Sequence, residues 1–202
     1  LILAHHFDDQ TETLFMRMIK ETGLDGLSCM KNISTWNGIY ILRPLLIFKK
    51  KDIENFARKN QIRYFEDHSN FNFEYERVKT RFYLKSLKKN IWPNVSNDLN
   101  YLSKLNSNLL KKTNFIFDNW AKKNILINEG GAVRVCYQSL ENIYNKSCLY
   151  SIRIVGKIIQ TVGGNEYPPK RKKTFELLSS MFLQQFKSKS LGNVTTSLHK
   201  GY

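Results

Sequence analysis

The order of apolar segments in the first 60 residues constrains the fold of this chain more than any other feature. Leu1 to Ala4 is predicted to be a short buried strand, and a helical pattern follows from Thr11 to Thr22. A second strand is predicted at Ile39 to Leu42 and a second helix at about Lys51 to Asn60. This order of strand, helix, strand and helix is typical of an α/β fold with a parallel sheet.

Long helices dominate the sequence after about Phe73. They are predicted at residues 75–89, 96–123, about 140–161 and 174–187, with one hairpin around Glu129-Gly130-Gly131. We therefore predict an α/β domain over residues 1–90 and a mainly helical domain with small β elements over residues 91–202. Because Leu1 falls inside a predicted strand, we interpret the sequence as a fragment.

The charge of the chain favours a polyanionic partner. It has 32 Lys and Arg against 17 Asp and Glu, a formal net charge of +15, which suits nucleic acid first and an anionic membrane surface second. No apolar run approaches the roughly 18 residues of a membrane span, so a cytoplasmic location is expected. The three cysteines lack C-x-x-C spacing and predict reduced thiols rather than a zinc ribbon.

Residues 4–13, AHHFDDQTET, concentrate titratable groups at the predicted junction of strand and helix. Ligands of open α/β sheets collect at such strand ends. Asp9 and Glu12 have the spacing of a helix N-cap and its N3 residue, so they could simply cap the helix, at about 1 kcal/mol. Capping does not explain Asp8, His5 or His6, and crowded carboxylates favour a site that takes a cation.

The side chains of this motif are of types that bind zinc or magnesium. Zinc is disfavoured, because adjacent histidines on a strand point to opposite faces and no further ligand pair completes a tetrahedron. Magnesium fits better, since it is held by one or two carboxylates together with substrate phosphates.

Two basic segments are candidates for phosphate binding. Arg77, Arg81, Lys85 and Lys88 share one stripe of a predicted helix, and the stripe has no carboxylate after Glu76. A solvated charged face is the usual meaning of such a stripe. The run from Lys170 to Lys173, after two prolines, is less specific and could equally face solvent.

Five ordered blocks of this sequence resemble the motif series of the tRNA(Ile)-lysidine synthetase family. They are AHHFDDQTET, RMIKETGLDGLSCM, RPLL, EDHSN and ERVKTR, and the later YPPKRKK and SLGNV are similar to the C-terminal part of some bacterial members. The resemblance is dense over residues 1–90 and sparse beyond them.

The resemblance implies a ligase of the PP-loop ATP pyrophosphatase superfamily. ATP would adenylate the C2 carbonyl oxygen of the wobble cytidine, position 34, in the tRNA(Ile) that carries a CAU anticodon. The ε-amine of free L-lysine would then attack C2, release AMP and leave lysidine, which changes codon reading from AUG to AUA. The oligomeric state stays open, with a homodimer as one option.

The resemblance also implies residue roles. Asp9 and Glu12 would hold the lysine, while His5, His6 and Asp8 would lie towards ATP, with Asp8 as a ligand of Mg²⁺. The residues expected to contact tRNA phosphates are Arg43, Arg77, Arg81, Lys85, Lys170 and Arg171.

Two departures from the family pattern qualify these roles. The nucleotide loop S-G-G-x-D-S is absent from the 202 residues, so the fragment alone is expected to bind ATP poorly and to be inactive. Lys79 stands where an arginine is common, which weakens the case for bidentate phosphate contact there.

The alternatives to this function are a PP-loop thiolase, disfavoured by the lack of paired cysteines, and a non-catalytic RNA-binding module in which the acidic cluster only caps a helix.

Overall fold

The computed structural model describes residues 1–65, 67–183 and 186–199, and its secondary structure is mainly helical. The described helices are α1 (Phe7–Ile19), α2 (Leu24–Leu27), α3 (Lys50–Lys59), α4 (Glu76–Asn90), α5 (Val95–Asn124), α6 (Tyr137–Lys146), α7 (Cys148–Val162) and α8 (Arg171–Leu183). The described strands are β1 (Ile33–Trp36), β2 (Ile39–Leu42), β3 (Ile125–Ile127), β4 (Val133–Val135), β5 (Ser188–Leu191) and β6 (Val194–Ser197). Short 3₁₀ turns occur at Pro44–Ile47 and His68–Phe71. The α/β class is confirmed in this coarse sense.

The predicted parallel sheet is not confirmed. The sheets of the described residues are three antiparallel pairs, β1 with β2, β3 with β4 and β5 with β6. The parallel element is one isolated bridge, in which the Leu3 N–H donates to the Leu42 carbonyl and the Leu42 N–H donates to the Leu1 carbonyl, both at 2.8 Å. Leu1 and Ile2 are exposed rather than buried, because the described part of the chain places no layer over their side chains.

The hairpin of β1 and β2 was only half predicted, since β1 was missed. Its two central residues, Asn37 and Gly38, have φ angles of 47° and 78°, the left-handed values of a type I′ turn. Asn-Gly between two strands is the strongest short-range hairpin signal, so the sequence contained the information that was overlooked.

The chain divides into two compact units, residues 1–113 and 114–202. In the first unit Leu14 of α1, Leu84 of α4 and Val95 and Leu99 of α5 form a buried cluster. The division therefore falls inside α5, later than residue 90, because the start of α5 packs on α1. The domain boundary near residue 90 stays a prediction about the extent of the catalytic domain.

The second unit has its own core. The buried residues that pack α7 against α8 include Ile154, Ile159, Leu177 and Leu178. The helix predicted over residues 140–161 is two helices, because Ser147 adopts an extended conformation and its side chain accepts a hydrogen bond from the Tyr150 N–H at the start of α7. The hairpin of β3 and β4 is confirmed. Within the described ranges, every helix is too short or too polar to span a lipid bilayer.

Candidate functional site

The entry into α1 fixes the first residues of the acidic motif. His6 is the N-cap, and its Nδ1 accepts a hydrogen bond from the Asp9 N–H at 3.3 Å while Asp9 Oδ2 accepts from the His6 N–H at 2.9 Å. This is a reciprocal capping box. The interpretation of Asp9 and Glu12 as N-cap and N3 is therefore wrong, because the helix begins at Phe7, four residues earlier than predicted.

Asp8 connects α1 to α3. Its Oδ2 accepts a hydrogen bond of 2.7 Å from the Lys50 N–H, the first amide of α3, whose own N-cap residue Lys49 supplies no side-chain bond. A carboxylate at a helix N-terminus is stabilised by the unpaired amides and the helix dipole. Asp8 also lines a pocket of about 200 Å³, together with Lys49 and Lys88.

Glu12 is the buried carboxylate of the motif. Only 5% of its side chain is exposed, and both oxygens face Arg81, whose Nε and Nη2 donate to Oε1 at 2.8 Å and to Oε2 at 3.3 Å. Arg77 Nε lies 3.5 Å from Oε2, close enough for an ion pair although it makes no hydrogen bond. The hydrogen bonds to Glu12 raise the pKa of Arg81 above its ordinary value. The carboxylate therefore orients two of the predicted phosphate-binding arginines.

His5 lies among charged groups on the strand side of the motif. Burial is the main cause that lowers its pKa, and the positive charges of Arg43 and Arg77 lower it further, against the raising effect of Asp9. The imidazole is therefore neutral at pH 7. His5 Nδ1, Arg43 Nε and Arg77 Nε are buried without a hydrogen-bond partner among the described residues.

Two polar side chains that the sequence analysis missed hold α1 in place. The amide of Gln10 exchanges two hydrogen bonds with the backbone of Met30, at 2.8 and 3.0 Å. Asn100 of α5 donates to Thr11 Oγ1 at 2.7 Å. Amide side chains give no periodic signal, so only the three-dimensional structure identifies these partners.

The basic stripe of α4 is turned towards α1 at its start. Arg77 and Arg81 reach Thr13 and Glu12, while Lys85 is exposed. Lys170 and Arg171 belong to the second unit and are exposed at the start of α8. The structure thus brings together His5, Asp9, Glu12, Arg77 and Arg81, with Arg43 acting on His5 through its charge.

The metal-binding capacity of the motif is limited. The described ranges contain no group of three or more His, Cys, Asp or Glu side chains that could hold a metal ion. Magnesium needs fewer protein ligands, because it keeps several waters and takes oxygens from substrate phosphates. Asp8 would have to serve it while still accepting the Lys50 N–H.

The arrangement combines a carboxylate at a helix start with arginines and a neutral imidazole. Such a site can attract a cationic amine through Asp9 and an anionic phosphate through Arg43, Arg77 and Arg81. Bringing an amine and a phosphorylated substrate together is what ATP-dependent formation of a carbon–nitrogen bond requires.

A family model matches the first part of the chain. Residues 1–87 match the ATP_bind_3 family model, described as a PP-loop domain. The motif therefore lies within the segment that is similar to a PP-loop domain.

The chain is also similar to individual proteins that are named tRNA(Ile)-lysidine synthase. The one from Francisella philomiragia is 39% identical over 115 residues, which are 55% of this chain and 29% of the relative. The one from Wolbachia pipientis wMel is 44% identical over 86 residues, 43% of this chain and 20% of the relative. The one from Ruegeria pomeroyi is 29% identical over 194 residues, 94% of this chain and 43% of the relative.

These matches confirm the resemblance inferred from the ordered motifs. The chain covers less than half of the length of each of the three relatives. It is similar to a part of each of these tRNA(Ile)-lysidine synthases.

Proposed function

We propose that this chain is part of an enzyme that uses ATP to join L-lysine to C2 of the wobble cytidine of the tRNA(Ile) with a CAU anticodon. The observation that carries the proposal is the cluster of Asp9, Glu12, Arg77 and Arg81 within a PP-loop domain. The names of the relatives support lysine ligation rather than sulfur transfer. Such an enzyme would work in the cytoplasm, where tRNA and free lysine are available.

The acidic residues divide the binding work in this proposal. Asp9, with 15% of its side chain exposed, presents its carboxylate to the ε-ammonium of lysine and helps to position it until the amine loses its proton. Glu12 contributes negative charge next to it, while its two oxygens keep Arg81 directed towards the same region. Arg77 and Arg81 then face the tRNA phosphates and the charge that develops on the adenylated cytidine.

The nucleotide side of the site would be formed by His5, His6 and Asp8. ATP, when bound, supplies the adenylyl group that activates the C2 oxygen, and Mg²⁺ neutralises its phosphates. The buried and unbonded Nε–H groups of Arg43 and Arg77 would donate to an anionic substrate, and His5 Nδ1 would donate to or accept from a polar one. Asp8 would hold Mg²⁺ through the carboxylate edge that does not face Lys50. Lys85, Lys170 and Arg171 would contact tRNA phosphates from their exposed positions.

The test uses the full-length protein that contains this chain. Asp9→Asn preserves an oxygen that can accept the His6 N–H, so the fold should survive while ATP-dependent incorporation of radiolabelled lysine into the tRNA falls by at least a hundredfold. Asp52→Asn is the matched control, because Asp52 is an exposed carboxylate in the first turn of α3. Normal incorporation by Asp9→Asn would refute the assigned role.

A separate assay distinguishes ligation from plain RNA binding. If the protein were a non-catalytic RNA-binding module, it would bind tRNA but would not release pyrophosphate from ATP. We expect tRNA-dependent release of pyrophosphate by the full-length protein, and its absence in a folded, tRNA-binding preparation would contradict the proposed reaction.

A further inference from the structure

The side of α4 that points away from α1 carries an exposed cluster of aromatic rings. Phe73, Tyr75, Phe82 and Tyr83 each leave between 55% and 59% of their surface exposed. The Phe73 and Phe82 ring centroids are 5.8 Å apart, and those of Phe82 and Tyr83 are 6.2 Å apart, both edge to face. We call these four residues the aromatic face.

The helical spacing separates the aromatic face from the arginines. Tyr75, Lys79, Phe82 and Tyr83 follow one another at intervals of four, three and one, so they share one side of the helix. Val78, Thr80 and Leu84 are the buried residues of α4. Arg81, which reaches Glu12, therefore projects to the other side, and the aromatic face is a surface that the catalytic cluster does not use.

Single exposed aromatic residues are common and need no explanation, but three in contact, with a fourth at the start of the same helix, are unusual on a protein surface that has no partner. Edge-to-face packing within the cluster accounts for only part of each ring. More than half of each of the four residues remains available to a ligand with flat apolar faces.

The charge next to the aromatic face selects the occupant. Lys79 is exposed between Tyr75 and Phe82, and Glu76 is ion-paired with Lys20 at 2.7 Å, so its charge is compensated. Glu74 is the remaining carboxylate at the edge. A second copy of this chain, with its formal charge of +15, would be repelled, whereas a polyanion would be attracted.

We propose that the aromatic face binds unpaired bases of RNA by stacking, with Lys79 holding the adjacent phosphate. Aromatic side chains that alternate with cationic ones are the common solution for single-stranded nucleic acid, because every base has a π-face. The inference rests on the proposed function for the identity of the RNA, a tRNA whose anticodon loop offers unpaired bases. The stacking itself requires neither ATP nor lysine.

The test measures binding of the full-length protein that contains this chain to a fluorescent single-stranded 12-nucleotide RNA and to an RNA of the same length with three adjacent abasic positions. Phe82→Leu and Tyr83→Leu should each weaken binding of the intact RNA roughly five- to tenfold. The three abasic positions are moved along the strand in a series of RNAs to locate the contacted bases. When the abasic positions coincide with the contacted bases, neither variant should bind that RNA more weakly than the unsubstituted protein does. Lys79→Gln should instead reduce the slope of log K against log salt by about 0.7 for either RNA.

The matched control is Phe56→Leu, because Phe56 is an exposed aromatic residue on α3 of the same unit. Three results would overturn the proposal: equal affinity of Phe82→Leu and the unsubstituted chain, equal losses for the intact RNA and every abasic RNA, or a loss of self-association instead of RNA binding, measured by sedimentation. Failure of lysine incorporation would refute the proposed function and would leave this binding result unaffected, so the two failures are distinguishable.

Discussion

The ion pair between Glu12 and Arg81 should stabilise the first unit more than any exposed ion pair in it. Glu12→Gln removes the negative charge while it keeps the size of the side chain and one oxygen that can accept from Arg81. Two guanidinium groups would then face each other across a neutral amide. We expect a lower free energy of unfolding and looser positions of Arg77 and Arg81.

The magnitude follows from distance and burial. Unit charges 4 Å apart interact by about 4 kcal/mol at an effective dielectric constant of 20. The pair is asymmetric, because Glu12 has 5% of its side chain exposed and Arg81 has 30%, so solvent screens part of this attraction. Water also hydrates the Arg81 guanidinium once its carboxylate partner is removed, which reduces the cost of leaving it unpaired. The expected loss is therefore about 1–3 kcal/mol rather than the full Coulomb value.

A double-mutant cycle measures the pair directly. Glu12→Gln, Arg81→Met and the double variant of this 202-residue chain are compared by urea denaturation followed by circular dichroism. The control cycle uses Lys20→Met and Glu76→Gln, because that pair has a shorter contact, 2.7 Å, but 54% of each side chain is exposed. The control coupling should be below about 1 kcal/mol. If it equals or exceeds the coupling of Glu12 and Arg81, the argument from burial is refuted.

Two further predictions concern His5 and Asp8, which precede Glu12 in the motif. Burial lowers the pKa of His5 below its ordinary 6.5, so the unfolded chain binds a proton that the folded chain resists. Stability should therefore fall as pH drops through 6.5, and His5→Gln should reduce that dependence in thermal melts between pH 8 and 5; an unchanged pH profile would contradict the assignment. Asp8→Ala should destabilise by about 1 kcal/mol and speed hydrogen exchange of the Lys50 amide, whereas Asp8→Asn, which keeps an acceptor oxygen, should do neither. Equal exchange rates in the two variants would show that Asp8 does not cap α3.

The sequence was sufficient to predict three of the helices closely. Apolar periodicity predicted α3, α4 and α5 to within one residue at each end, because long amphipathic segments leave few alternatives. The apolar run from Leu1 to Ala4 was misleading, because Leu1 and Ile2 are exposed. Such a run indicates a strand but does not indicate which residues cover it. Strand pairing depends on contacts distant along the chain, and these a local pattern does not encode.

The partners of the site residues were beyond local prediction for the same reason. The sequence placed Arg81 on a basic stripe and Glu12 in an acidic motif, 69 residues apart, and gave no sign that they meet. The stripe was interpreted as facing phosphate, but its first two arginines already face a buried carboxylate. Motifs can therefore suggest candidate site residues without indicating how those residues pair.

The structure also changes how the crowding of Asp8, Asp9 and Glu12 should be interpreted. Crowded carboxylates indicate a cationic ligand only if the fold does not neutralise them itself. Here the Lys50 N–H donates a hydrogen bond to Asp8, the His6 N–H donates to Asp9, and only Glu12 has an opposite charge, that of Arg81, as its hydrogen-bond donor among these three pairs. An incoming lysine must therefore compete with internal partners, and it competes best where the partner is a single neutral amide on the edge of the site. That condition favours Asp9 over Glu12 as the contact of the lysine ammonium, so lysine affinity should fall more in Asp9→Asn than in Glu12→Gln.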